Sequence, residues 1–414
     1  MTIRKTWRAK LLLLVISVVV GLAIVELGLR VAGFSRPYFY TYDEDLGWML
    51  RPGTSGWFRK EGEAYIHVNS SGMRDDREYV AAKPKDTFRV AVLGDSFAEA
   101  LQVPVTHTFW SVLGQELNNC QPLKGQRVEV MNFGVSSYGT AQELIMLRDR
   151  VWAFSPDVVL LAFTPANDVR NNSRALERDE LRPYFVLKND VPVADMSFRD
   201  SASFRRKRTF ISSTMYSLIN YSRLLQLING VRDDIVTRRA AQSQIGSQAG
   251  SDAGNQVQKP SQDTATAKAT EMGIDDKAYT EPTDPAWREA WRVTEALLSQ
   301  MNKEVTNHGA KFLVVVLTSG PQVTPDLQQR EAFMSRLQTN DLFYPEHRIQ
   351  TIADREHFAV LSLGPVFAKY AAEHQIALHG FGSFLNLGHW NGAGHRLAGE
   401  TISERLCQQL MNRS

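Results

Sequence analysis

The sequence predicts an α/β chain: a parallel sheet covered by helices on both faces, preceded by one N-terminal apolar helix. Three observations predict it. From Phe88 onward, strand-length apolar runs alternate with helix-length segments. Val158–Phe163 is continuously apolar instead of alternating, as a strand buried on both faces must be. Leu11–Val25 carries no charge.

The N-terminal run comes first. Glu26 and Arg30 interrupt a pattern that stays apolar to about Gly33, and a bilayer core needs roughly 20 residues of helix. Residues 11–33 therefore read as a transmembrane signal anchor. Arg4, Lys5, Arg8 and Lys10 would hold residues 1–10 in the cytoplasm and send the remainder across. In a bacterium this places the anchor in the inner membrane and the folded domain in the periplasm. No Ala-x-Ala lies near the end of the run, which favours an uncleaved anchor over a secretory signal peptide. Glu26 and Arg30 are spaced i,i+4 to pair where the helix leaves the bilayer, and no functional role is assigned to that pair.

Residues 34–87 are rich in aromatic, Gly and Pro residues without a sustained period, and read as an extended wrapping segment. The first part of the catalytic-type domain, 88–236, opens with strand Phe88–Leu93 and turn Gly94–Phe97. Helix Thr108–Asn118, strand Arg127–Phe133, helix Ala141–Trp152 and strand Val158–Phe163 follow, a β-α-β-α-β run that marks a parallel sheet. From Thr237 to Pro285 the composition shifts to small and polar residues, too poor in large apolar side chains to form a core, so an exposed, disordered insertion is expected over 237–285. The second part, 286–414, is read as helix Trp287–Asn307, strand Lys311–Thr318, helices Gln328–Leu337 and Leu363–His374, the region Ala377–His395, and a final helix Arg396–Asn412.

Composition excludes more than it selects. Forty-seven basic against forty-five acidic side chains leave a net charge of +2, which gives no electrostatic footprint for nucleic acid. The nine histidines form no i,i+4 pair around a helical Glu, and no phosphate-cradling Gly-Lys-Ser/Thr turn is present, so neither a metal nor another cofactor is expected. Cys120 and Cys407 would sit in an oxidising compartment, where one disulfide between them is permitted; two buried thiols are the other reading. The cluster Arg205-Arg206-Lys207-Arg208 precedes an amphipathic stretch, Phe210–Ile228, and reads as a solvated charged face, with anionic lipid or an acidic polymer as the alternative.

Gly94-Asp95-Ser96-Phe97 places a serine where a buried strand turns outward. A serine hydroxyl is inert at neutral pH without an adjacent base and donors for the oxyanion. The base candidate is His389, in Gly388-His389-Trp390-Asn391-Gly392-Ala393-Gly394-His395. Donor candidates are Gly134 and Asn167, each just beyond a predicted strand, and carboxyl ends of strands are where an α/β sheet collects reactive groups. His395 and Trp390 are read as packing residues.

The ordered set Ser96, Gly134, Asn167 and His389 resembles the SGNH hydrolase superfamily, the GDSL-type esterases. The likeness covers roughly Asn69–Asn172, including the lead-in Asn69-Ser70-Ser71-Gly72-Met73-Arg74-Asp75, and Phe381–Glu400. It implies a flavodoxin-like three-layer α/β/α sandwich. Ser96 is then the nucleophile, His389 the general base, and Ser96 N–H, Gly134 N–H and the Asn167 amide the oxyanion donors. Two positions depart from the pattern. Pro165 replaces a glycine, and the family's Asp-x-x-His reads Asn386-Leu387-Gly388-His389, so the carboxylate that orients the histidine is an amide. That leaves Asn386 itself, another carboxylate or a backbone carbonyl to orient His389, or a site that no longer performs catalysis.

The function expected is a serine esterase acting on an O-acyl ester, an O-acetyl group of a cell-envelope carbohydrate above all. A periplasmic polysaccharide O-acyltransferase using the same acyl-enzyme, and a non-catalytic carbohydrate-binding or assembly protein, are the alternatives.

Overall fold

In the computed structural model, which describes residues 2–232, 235 and 275–411, the chain begins with helix α1 (Thr2–Val31). Its stretch Trp7–Val31 is long and apolar enough to cross a membrane. Gly33, at φ 69°, ends the helix in the left-handed conformation that glycine adopts without cost. The expected wrapping segment then resolves into two antiparallel hairpins, β1 (Tyr40–Asp43) with β2 (Gly47–Leu50) and β3 (Ser55–Phe58) with β4 (Ala64–His67). Trp48, Leu50, Ile66 and Val68 carry these hairpins into the main core.

The core strand β5 (Thr87–Gly94) follows, then α2 (Ser96–Glu99), α3 (Phe109–Leu117) and β6 (Arg127–Asn132). Helix α4 (Thr140–Asp149) leads to β7 (Val158–Phe163) and α5 (Pro165–Asn171). An excursion from the sheet carries the hairpin β8 (Tyr184–Lys188) and β9 (Val191–Asp195), then α6 (Ala202–Lys207), α7 (Phe210–Tyr221) and α8 (residues 223–232). The chain returns through α9 (Pro285–Asn307), β10 (Lys311–Val316), α10 (Gly320–Val323), α11 (Leu327–Leu337), α12 (Tyr344–Glu356), β11 (Ala359–Ser362), α13 (Gly364–His374) and α14 (Gly392–Met411).

The five core strands are all parallel, in the spatial order β11-β10-β7-β5-β6. Counted along the chain this is 2-1-3-4-5, the flavodoxin-like order, with its topological switch point between β5 and β7. Strand side chains alternate between two cores. Ala91, Leu93, Val159 and Leu161 pack with α4, α9 and α12 on one face. Val90, Val92, Val158 and Leu160 pack with α3, α13 and α14 on the other. The expected three-layer sandwich is therefore the observed one.

Differences from the sequence reading have local causes. Helix α12 and strand β11 were not expected: α12 is polar over most of its length, and β11 is a four-residue edge strand. The last helix starts at Gly392, not Arg396, because Asn391 Oδ1 accepts the N–H groups of Ala393 and Gly394 and caps it. The expected insertion lies outside the described residues up to 274. Its remaining part is not an exposed segment: Ala278 and Tyr279 are buried, and the Tyr279 hydroxyl donates to Ser319 Oγ at 2.6 Å. Cys120, just past α3, and Cys407, in α14, are joined in a disulfide.

Candidate active site

Strand β5 ends at Gly94, where a Cβ would lie 2.8 Å from Ala98 Cβ and 3.0 Å from the Ala162 carbonyl oxygen, so no side chain fits. Asp95 caps α2, its Oδ1 accepting the Phe97 N–H at 2.9 Å. Ser96 is the first helical residue. It is partly exposed between two buried neighbours, and its N–H, at the first helical position, has no intrahelical acceptor.

Ser96 Oγ stands 2.8 Å from His389 Nε2. On the far side of the ring, His389 Nδ1 stands 2.5 Å from Glu61 Oε2, and the His389 backbone N–H donates to Glu61 Oε1 at 2.9 Å. Both side chains of this pair are mostly shielded, at 15% and 17% exposure. Burial works to raise the Glu61 carboxyl, but the hydrogen bonds and charge of His389 outweigh it and hold Glu61 below the ordinary glutamate value. An ionised carboxylate only accepts, so a proton on that side belongs to Nδ1, and whenever the ring is neutral Nε2 is the acceptor that faces the Ser96 hydroxyl.

Glu61 was not among the candidates, and Asn386, the His-orienting candidate, does not contact His389. Asn386 sits in a turn at φ 64°, a conformation asparagine tolerates better than most residues, and its Oδ1 is buried without a hydrogen-bond partner. Glu61 lies instead in the turn joining β3 and β4. Gly62, at φ 66°, lets that turn approach so closely that a Cβ would lie 2.3 Å from the Gln102 carbonyl oxygen. Nothing local distinguishes Glu61 from Glu63; only the fold does, by pairing Glu63 with Arg59 and turning Glu61 onto a histidine 328 residues away.

The donor candidates divide. Asn167 lies in the first turn of α5, which Pro165 opens at a position where proline's fixed φ and missing N–H cost nothing. Asn167 Nδ2 donates one hydrogen to Asp95 Oδ2 at 2.7 Å, leaving the amide's second hydrogen available. Burial raises the Asp95 carboxyl, opposed by the hydrogen bonds from Asn167 and Phe97. Gly134 lies at the predicted strand end, packed so tightly on α2 that a Cβ would meet Ala98 Cβ at 2.5 Å. Its N–H, however, donates to Asn132 Oδ1 at 3.0 Å. As a result Ser96 N–H and the second Asn167 hydrogen are the donors without a prior acceptor.

Behind His389, the buried His379 has both ring nitrogens engaged, with Thr318 Oγ1 and the Gly388 carbonyl oxygen, each at 2.8 Å. Burial pushes it down to about 4, so it stays neutral at pH 7. Trp390 is fully buried and donates to Thr318 Oγ1 at 2.9 Å, and His395 is buried against Phe109. Both pack, as read from the sequence. Beside the Gly134 strand end, a cavity of about 320 Å³ is lined by Tyr38, Tyr40, Tyr42, Trp48 and Tyr216, with Ser136 and Asp179 among its polar groups.

No protein-family model matches the chain, and no curated protein matches it in sequence. Among solved structures, its backbone is similar to the acetyl xylan esterase AlAXEase (12% identity, TM-score 0.37, covering 77% of this chain and 100% of that one). It is also similar to a catalytic mutant of Axe2, an acetylxylan esterase from Geobacillus stearothermophilus (10%, 0.35, 78% and 95%). A third is a putative lipolytic protein of the G-D-S-L family from Desulfitobacterium hafniense DCB-2 (10%, 0.33, 77% and 99%).

Proposed function

We propose that this chain is a membrane-anchored serine esterase of the SGNH type, acting on O-acyl esters of a cell-envelope carbohydrate. The observation that carries the reading is the Glu61–His389–Ser96 relay. In the proposed reaction Ser96 Oγ attacks the ester carbonyl while its proton passes to His389 Nε2, and Glu61 stabilises the imidazolium that forms. The tetrahedral oxyanion is met by Ser96 N–H and the Asn167 amide. Collapse breaks the bond to the sugar oxygen, which leaves with the proton from His389. Water then attacks the acyl-serine, His389 taking its proton and passing it to Ser96 Oγ as the bond to the acyl carbon breaks and the carboxylic acid is released.

Glu61 also answers the main support for a non-catalytic role, the lack of a carboxylate three residues before His389. The aromatic cavity, which neither Ser96 nor His389 lines, supports sugar binding by this chain, because tyrosine and tryptophan offer flat apolar faces with polar edges to a pyranose ring. For the periplasmic location the support is α1 together with its basic N-terminal flank.

Hydrolysis of p-nitrophenyl acetate by the full-length chain in detergent tests the reading. Ser96→Ala and His389→Ala are each expected to lower kcat by about 10³-fold or more. Turnover that survives Ser96→Ala would overturn it. Product analysis with an added glycan acceptor separates hydrolysis from acyl transfer.

A further inference from the structure

A helix on the surface of a soluble domain turns its apolar stripe toward the core. Helix α7 does the reverse. It contains no charged residue, and Phe210, Ile211, Met215 and Leu218 project outward at 83, 73, 54 and 56% exposure. These recur at the spacing of one helix face. The opposite side holds the buried Ile219 and the half-buried Asn220. Helix α8 likewise exposes Leu225, Ile228 and Val231, while Gln226 is buried. An apolar patch this continuous on a folded surface marks something it binds.

What covers it is indicated by the helix it is fastened to. Glu26 of α1 accepts the N–H groups of Arg223 and Leu224, at 3.0 and 2.9 Å, and so caps the N-terminus of α8 from outside. Arg30, paired with Glu26 at 2.7 Å, donates to the carbonyl oxygen of Tyr221, the last residue of α7, also at 2.7 Å. One ion pair on the apolar helix thus satisfies both sides of the α7–α8 elbow. Its spacing was legible in the sequence; its role was not. The segment after α1 adds further fastenings, with Tyr38 N–H on Asn220 Oδ1 and Arg36 N–H on Gln226 Oε1.

We propose that α7 and α8 lie in the lipid interface beside α1, with their shared apolar face buried in the leaflet from which the folded domain emerges. The proposal rests on α1 being a membrane anchor. Given that, its depth follows from the contacts. Glu26 lies five residues before the end of α1, or about 7.5 Å at 1.5 Å per residue, within the roughly 5–10 Å to which interfacial helices sink. The basic cluster fits the same seating. Lys207 and Arg208 are engaged with Tyr42 and Glu44, whereas Arg205 and Arg206 are exposed, with no ion-pair partner among the described residues, beside the start of α7. They are placed for lipid phosphates. Tyr216, on the inward side of α7, lines the aromatic cavity, so this seating holds that cavity close to the bilayer surface.

The test uses the full-length protein in vesicles of phosphatidylethanolamine and phosphatidylglycerol. Its only cysteines are joined in the disulfide, so single-cysteine variants can carry a bimane fluorophore. Met215→Cys and Ile228→Cys report the patch, Leu22→Cys reports the anchor, and Leu327→Cys reports an exposed apolar site on another element. Lipids bearing a nitroxide at acyl carbon 5 are expected to quench the first two at least half as strongly as Leu22→Cys, and to leave Leu327→Cys nearly unaffected. Patch labels quenched no more than Leu327→Cys, with Leu22→Cys strongly quenched, would overturn the seating while leaving the anchor intact. Cross-linking between copies through Met215→Cys, without lipid quenching, would assign the face to a second copy and also overturn it. If Leu22→Cys itself is unquenched, the anchor reading fails and the seating with it.

Discussion

Glu61 shows how far a reaction centre can be dispersed along a chain. The histidine ring has two sides, and a nucleophile on one is armed only if an acceptor fixes the proton on the other. Glu61→Gln keeps the size of the side chain but removes the charge that favours imidazolium, so kcat is expected to fall by on the order of 10²–10⁴ with KM little changed. Asn386→Asp, the substitution that would restore the family pattern in sequence, is expected to leave kcat within about twofold, because residue 386 does not touch His389. Steady-state kinetics on both variants checks the pair. A large gain from Asn386→Asp would show that the histidine takes its orientation from that turn instead. The places of Ser96, Gly134 and Asn167 could be read from the sequence because strand-end chemistry is local: each sits within a few residues of the strand before it, although the Gly134 N–H proves to be engaged by Asn132; His389 was found from its motif alone. Glu61 could not, since its turn carries no mark of the histidine it meets.

At the scale of elements, the β3–β4 hairpin is the least expected part of the site. Its residues have no sustained period, and its strands are four residues each, too short for alternation to announce them. Gly62 is where the hairpin is most constrained. Gly62→Ala would place a methyl group against the Gln102 carbonyl and a Cβ in the left-handed region, costing about 1–3 kcal/mol. The turn would retreat and draw Glu61 from His389. The expected outcome is a drop in kcat larger than the drop in stability explains, read by comparing turnover with the thermal transition of the same sample. Helix α9 and strands β5–β7 were legible because their apolar spacing is strong. Helix α12 was not, because Ile349, Ile352 and Ala353, which reach the core, stand among polar and charged residues that blur the stripe.

Across the whole molecule, buried carboxyl groups set a pH dependence that net charge does not suggest. Glu346 is pushed up to about 8 and Glu99 to about 7, both chiefly by burial. Burial also raises Glu143 and Asp168, with repulsion from Asp95 adding to it at Glu143 and from Glu143 and Asp95 at Asp168. A carboxyl raised in the folded state binds protons more tightly there than in the unfolded chain, so stability is greatest below the unfolded value near 4.5 and declines as pH rises toward the folded value. Buried His379 and His395 act in the opposite sense up to their unfolded value of 6.5, so the thermal transition is expected to fall between about pH 6.5 and 8. Glu346→Gln should flatten part of that fall, by no more than about 4–5 kcal/mol at the upper end. A wild-type transition that rises over this range would contradict the assignment. The parallel sheet was legible at this scale because strands buried on both faces read as apolar runs, whereas its flavodoxin-like form was implied by the resemblance alone. The α7–α8 surface was not, because a helix pattern gives the width of an apolar stripe but not the direction it faces.

The relay joins the second hairpin of the chain to its last helical region, and that ordering governs when the serine becomes reactive. On a growing polypeptide Glu61 emerges first, Ser96 soon after, and His389 only 293 residues after Ser96. Until then the hydroxyl has no base. On the proposed mechanism the chain stays unarmed until His389 has been made, and a truncation that removes His389 is expected to abolish acylation of Ser96.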